Sequence, residues 1–78
     1  MRILFFSDVR NEVGQASIEL PLDETDVSGL WKALIEIHPA LARFRSRVRI
    51  AQNSEFVDNN ARFRRGDEIA LIPPVSGG

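Results

Sequence analysis

One stretch of this chain repeats its apolar residues at the helical period more clearly than any other. Val27, Leu30, Trp31 and Leu34, with Ile37 or His38, follow the i, i+3, i+4, i+7 spacing behind Asp26, whose carboxylate suits an N-cap. The spacing predicts a helix over residues 26–38, weakened in its first turn by Gly29 and either ended at Pro39 or restarted there as another turn. A lone amphipathic helix must bury its stripe against something else. The other apolar runs have strand character, so the stripe and Trp31 are expected to pack on a sheet.

The strands follow from short runs and alternation. "RILFF" (2–6) is apolar on both alternating faces and reads as a buried central strand. In "SDVRNEVGQ", Val9 and Val13 lie four apart on one or two turns of helix closed by Gly14. "ASIELPL" (16–22) puts Ile18, Leu20 and Leu22 on one side until Pro21 interrupts, giving a second strand antiparallel to the first. "RFRSRVRIAQN" (43–53) alternates arginine at odd positions with Phe44, Ser46, Val48 and Ile50 at even ones, which predicts a strand with one wet face. "EFV" (55–57) reads as a short edge segment, 58–67 as a loop, and "EIALIPP" (68–74) as a last strand that Pro73 removes from the ladder. One helix crossing a face of a mixed sheet of four to five strands, with the last strand beside the first, is an α+β chain of the β-grasp, ubiquitin-like, type. The expected division is a domain over 1–74 and a flexible Gly-Gly tail over 75–78.

Composition narrows what such a domain does. Seventy-eight residues are near the lower limit for a single core, which argues against a deep active site, and with no cysteine there is no disulfide, thiolate metal site or cysteine nucleophile. No stretch approaches the roughly 18 apolar residues of a membrane span, and the start lacks the features of a signal peptide, so a cytoplasmic protein without a membrane partner is expected. Ten basic residues against eleven acidic leave no global field for nucleic acid, yet residues 1–42 carry a net −4 and residues 43–78 a net +3. The series Arg43, Arg45, Arg47 and Arg49 reads either as a phosphate-binding stripe or, favoured by the acidic first half and the lack of stacking aromatics, as a solvated strand face. His38 suits the C-terminal helix dipole and has no ligand set around it.

The closing "IPPVSGG" buries almost nothing and so is expected to act rather than fold. Pro73 and Pro74 make a stiff base, and Val75, Ser76, Gly77 and Gly78 reach roughly 13–14 Å beyond the globule when extended. The final glycines have no Cβ and pass through the narrowest channel. What they deliver is the α-carboxylate of Gly78. A carboxylate is a poor electrophile, so a partner must install a leaving group. This sequence has no phosphate-binding loop, and its one lysine is Lys32 in the helix. The domain therefore reads as a carrier that is not catalytic alone and binds no cofactor itself.

Two segments carry a family resemblance. "ILFFSDVRNEVG" is similar to an opening LFFA-x-VRE-x-x-G pattern, and "GDEIALIPPVSGG" to an ending GDEVAFFPPVTGG, of the small sulfur-carrying subunits of molybdopterin synthase, a ubiquitin-like family; the chain resembles it along essentially its whole length. Gln52 departs from the family's usual valine before Asn53. The resemblance implies a cycle in which an E1-like adenylating enzyme activates Gly78 with ATP and magnesium and a sulfur donor system makes the thiocarboxylate. The large catalytic subunit of the synthase then receives the tail, and the sulfur goes to cyclic pyranopterin monophosphate. It also implies that apolar residues matching Phe6, Phe56 and Ile72, with the tail from Pro73 and Pro74 through Val75 and Ser76, lie against the large subunit. Leu4 with Phe6 and Ala70 with Ile72 share strand faces that would join Phe56 in an apolar patch, unless these residues are simply core. Arg10, Glu12, Asp67 and Glu68 also recur in the motifs, Asp67 in a turn after Gly66 that suits a structural role. Carriers for thiamine, tRNA thiolation or cysteine synthesis would use the same tail; an interaction module with an inert terminus is the reading from a different class.

Overall fold

The computed structural model describes residues 1–74. In chain order the elements are β1 (Arg2–Phe5), α1 (Ser7–Val13), β2 (Ser17–Glu19), β3 (Glu24–Asp26), α2 (Val27–Ile37), a 3₁₀ helix (Pro39–Phe44), β4 (Arg49–Gln52), β5 (Glu55–Phe56), β6 (Arg62–Arg64) and β7 (Glu68–Ile72). A five-stranded mixed sheet has the order β2-β1-β7-β4-β5, with β1 and β7 parallel and the other pairs antiparallel. This is the β-grasp arrangement, the last strand lying centrally beside the first.

Local chemistry sets the joints. Asp26 caps α2, its carboxylate accepting the Gly29 N–H at 2.8 Å, and Gly14 closes α1 in the left-handed conformation at φ 81. Asn53 (φ 50) and Ser54 (φ 74) form the two-residue, doubly left-handed turn that joins β4 to β5. The helical stripe Val27, Leu30, Trp31 and Leu34 is buried, and the sheet supplies Ile3, Phe5, Ile50, Ile69 and Leu71 to the same core.

Four expectations are corrected. β1 is not buried on both faces: Ile3 and Phe5 are enclosed while Leu4 is half-buried and Phe6 exposed. Inward-facing residues of all three central strands and the α2 stripe share one core, which leaves the other sheet face without a layer of its own. The arginine-rich stretch 43–53 is a strand only from Arg49. Before it, Pro39 opens a 3₁₀ helix whose three-residue period puts Leu41 and Phe44 together in the core. The loop predicted for 58–67 contains β6, which pairs with β3 in a small second sheet and buries Phe63 completely. Ile37 lies outside the buried stripe, 48% exposed.

Candidate functional site

The sheet face turned away from α2 is assembled by register. Leu4 stands beside Ala70, Ala70 beside Ala51, and Ala51 beside Phe56, while Ile72 is opposite Arg49. Side chains alternate across a strand, so these residues share a face opposite to Ile3, Leu71 and Ile50. Phe6 continues β1 in extended conformation (φ −130, ψ 154) and follows Leu4 onto that face, 43% exposed. Phe56 is 52% exposed, and Ile72, Leu4 and Ala70 are half-buried. The outcome is an apolar surface spanning four strands.

Its position is set by the end of β7. The ladder stops at Ile72; Pro73, which has no N–H to offer, is half-buried, and Pro74 is exposed. The chain therefore leaves the sheet at the edge of this surface, next to Arg49 across the ladder and to the β1–α1 corner. At that corner the Phe6 carbonyl accepts the Val9 and Arg10 N–H groups at 3.1 and 3.3 Å, and Ser7 takes φ 48. Of the sequence-predicted residues, Phe6, Ile72, Pro73 and Pro74 are thus gathered at one end of this face, and Phe56 lies on the same face on the edge strand β5, in register with Ala51. Val75, Ser76, Gly77 and Gly78 lie outside the described residues.

Two contributors were not foreseen. Ala51 lies under the patch centre, its small side chain bringing the strand face of β4 close to Phe56. Arg49, read as one of a wet series, sets its guanidinium 3.9 Å from the centre of the Phe56 ring. The alternation that placed it opposite Ile50 was visible; the hairpin partner was not.

The arginine series itself does not form a stripe. Arg43 is in the last turn of the 3₁₀ helix, Arg45 and Arg47 fall in a turn, and of the four only Arg49 is in the strand. The charge asymmetry between the two halves is met by pairing across the fold: Arg43 with Glu12, Arg62 with Glu24 at 2.9 Å, and Arg65 with Asp23 at 2.5 Å. These pairs are exposed and add little stability. Of the four arginines in the stripe reading, only Arg43 is in one of these pairs.

Asp67 has a structural place below the patch. Its carboxylate accepts the Arg64 N–H and Gln52 Nε2 at 2.8 Å each and Asn53 Nδ2 at 3.1 Å, while Asn53 Oδ1 accepts the Glu68 N–H at 3.0 Å. The Arg64 backbone bond, with help from Gln52 and Asn53 and against partial burial, holds the Asp67 carboxyl below its ordinary value. Gln52, the departure from the usual valine, is thus a hydrogen-bonding residue here.

Among the described residues, no group of three or more His, Cys, Asp or Glu could hold a metal ion, and no helix is long and apolar enough to cross a membrane.

Comparison with known proteins bears on the family and the fold. The sequence profile of the ThiS family matches residues 3–78. The molybdopterin synthase sulfur carrier subunit of Dictyostelium discoideum is 38% identical over 99% of this chain and 94% of its own length. Among solved structures, SAMP1 from Haloferax volcanii superposes with a TM-score of 0.85 at 30% identity, covering 100% of this chain and 98% of that one. The protein-protein complex of subunits 1 and 2 of molybdopterin-converting factor from Helicobacter pylori matches with a TM-score of 0.71 at 26% identity, over 99% of this chain and 96% of that one.

Proposed function

The chain belongs to the ThiS family, and from that premise we propose that it is a sulfur carrier, the small subunit of a molybdopterin synthase working in the cytoplasm. The observation that carries the proposal is the central strand β7, which ends in Pro73-Pro74 at the margin of an apolar face and continues in sequence to Val75-Ser76-Gly77-Gly78. The carrier-subunit relative matches over almost the whole of both chains, which supports the same reading.

In this reading the Gly78 carboxylate attacks the α-phosphate of ATP on an E1-like, magnesium-dependent enzyme, forming an acyl adenylate and releasing pyrophosphate. A sulfur donor then displaces AMP and leaves a thiocarboxylate. The large subunit takes the tail, and the sulfur attacks cyclic pyranopterin monophosphate. Hydrolysis of the acyl link returns the carboxylate, and a second loaded chain supplies the second sulfur of the dithiolene. The carrier contributes position: a rigid sheet aims the strand, and Gly77 and Gly78 add no side chain to obstruct the channel.

Phe6, Phe56 and Ile72, with Pro73, Pro74, Val75 and Ser76, are assigned to docking on the large subunit. Phe6 and Phe56 together are an exposed cost unless covered. Placing a charge there by Phe6→Arg is expected to leave folding intact and abolish binding; a folded variant that still binds refutes the docking role. Sulfur loading has its own test. Protein from cells holding the activating system, analysed by mass spectrometry, should carry one sulfur in place of one oxygen at its terminus, and an inert module would not.

The likeness to SAMP1, a small archaeal modifier protein, favours a second reading in which the adenylated Gly78 acylates an amine of another protein, releasing AMP and forming an amide. It predicts covalent conjugates of higher mass that survive reducing agents.

A further inference from the structure

We infer that the protein docking on the outer sheet face presents a carboxylate to Arg49, beside the point where the tail leaves the sheet; the inference rests on the docking role proposed above for that face. Arg49 projects on this face opposite Ile72, two residues before the end of the described chain. Its guanidinium lies over the Phe56 ring, 3.9 Å from the centroid. Among the described residues it belongs to none of the ion pairs, which join the Met1 ammonium, Arg43, Arg62 and Arg65 to acidic partners elsewhere, and it donates none of the side-chain hydrogen bonds.

A guanidinium held over the face of an aromatic ring by its central carbon still has N–H groups to offer, in the fork that matches a carboxylate bidentately. Water satisfies those groups while the face is open. A partner that covers Phe56 must strip the water from Arg49 as well, because the two groups are in contact. Burying a cation without an acceptor is strongly unfavourable, so a surface complementary to Phe6, Phe56 and Ile72 has to bring an acceptor of opposite charge to this spot.

The other end of the face makes the contrast. There Arg2, although it is in none of the ion pairs either, stands in register between Glu19 on β2 and Glu68 on β7, so it has acidic neighbours on both adjoining strands, which Arg49 lacks. Among the described residues, the charge on this surface without an acidic neighbour in register is at the tail exit. It therefore sets the direction in which a partner can dock as well as its affinity, since the reversed orientation would leave the guanidinium unpaired.

The test is titration of the full chain with the large synthase subunit at increasing salt, using Arg49→Gln, Arg49→Lys and Arg45→Gln. Arg45 is near Val27, Ser28 and Trp31 on the helix side, so its variant removes the same charge away from the face. Arg49→Gln is expected to weaken binding roughly 30-fold or more and to flatten its salt dependence. Arg49→Lys, which keeps the charge and loses the planar fork, should fall between Arg49→Gln and the unaltered chain, and Arg45→Gln should stay within about twofold. Unchanged affinity and salt dependence for Arg49→Gln, with binding abolished by Phe6→Arg, would overturn the carboxylate and leave the docking face standing. Unchanged binding for Arg49→Gln and for Phe6→Arg would overturn both.

Discussion

Replacing Asp67 by asparagine is a sensitive probe of how the turns beneath the sheet are held. One carboxylate oxygen accepts from the Arg64 N–H and Gln52 Nε2, and the other from Asn53 Nδ2. Asparagine has a single acceptor oxygen. Placed toward Arg64 and Gln52, it leaves its amide nitrogen facing the Asn53 amide, donor against donor. Asn53 cannot turn over to relieve this without giving up the bond its own oxygen accepts from the Glu68 N–H. At least one hydrogen bond is lost and two others cease to be charge-assisted. Half exposure lets water repair part of the damage, so the expected loss is about 1–2 kcal/mol at neutral pH.

The pH dependence has a definite sign. The folded-state pKa of Asp67 lies below its ordinary value of 3.8. Folding therefore favours the ionised form, and the contribution is fully present above 3.8 and lost as pH falls through the folded value. Urea unfolding of both proteins along a descending pH series isolates this group, because the other carboxylates are common to both. The stability gap should be constant at neutral pH and close below 3.8. A gap under about 0.5 kcal/mol at neutral pH, or one that does not change with pH, would refute the network argument.

Three further outcomes are expected. Leu71→Ala, in the central strand at 0% exposure, should cost about 2–5 kcal/mol in chemical denaturation. Gly29→Ala should destabilise despite an intrinsic helix gain of about 1 kcal/mol, because the added Cβ would lie 2.0 Å from Thr25 Oγ1 and 3.3 Å from the capping Asp26 Oδ1; Thr25→Ala/Gly29→Ala should melt above Thr25→Ala alone. One alanine added after Gly78 should leave the melting temperature unchanged and eliminate the thiocarboxylate signal in mass spectrometry.

Elements whose signal lies within a few residues were legible. The α2 stripe, the Asp26 cap, the Gly14 closure and the strand before Pro73 each depend on spacing or on one residue's backbone preference. Segments whose state is settled by distant contacts were not. "RFR" at 62–64 is three residues long and becomes a strand because β3, 38 positions away by the Glu24–Arg62 pair, offers it a ladder and the core receives Phe63. Likewise Leu41 and Phe44 are compatible with a strand or a 3₁₀ turn, and the core contact of both decides for the turn.

The candidate site divides the same way. By itself the chain's order of residues determined a lone amphipathic helix, a last strand stopped by two prolines, and the small residues that follow, because helical periodicity, proline's missing N–H and glycine's missing Cβ are local properties. Only the tertiary structure decided that Leu4, Ala51, Phe56, Ala70 and Ile72 share one open face and that Arg49 stacks on Phe56 at its edge. Those placements depend on which strands pair and in what register, and register is a property of the assembled sheet.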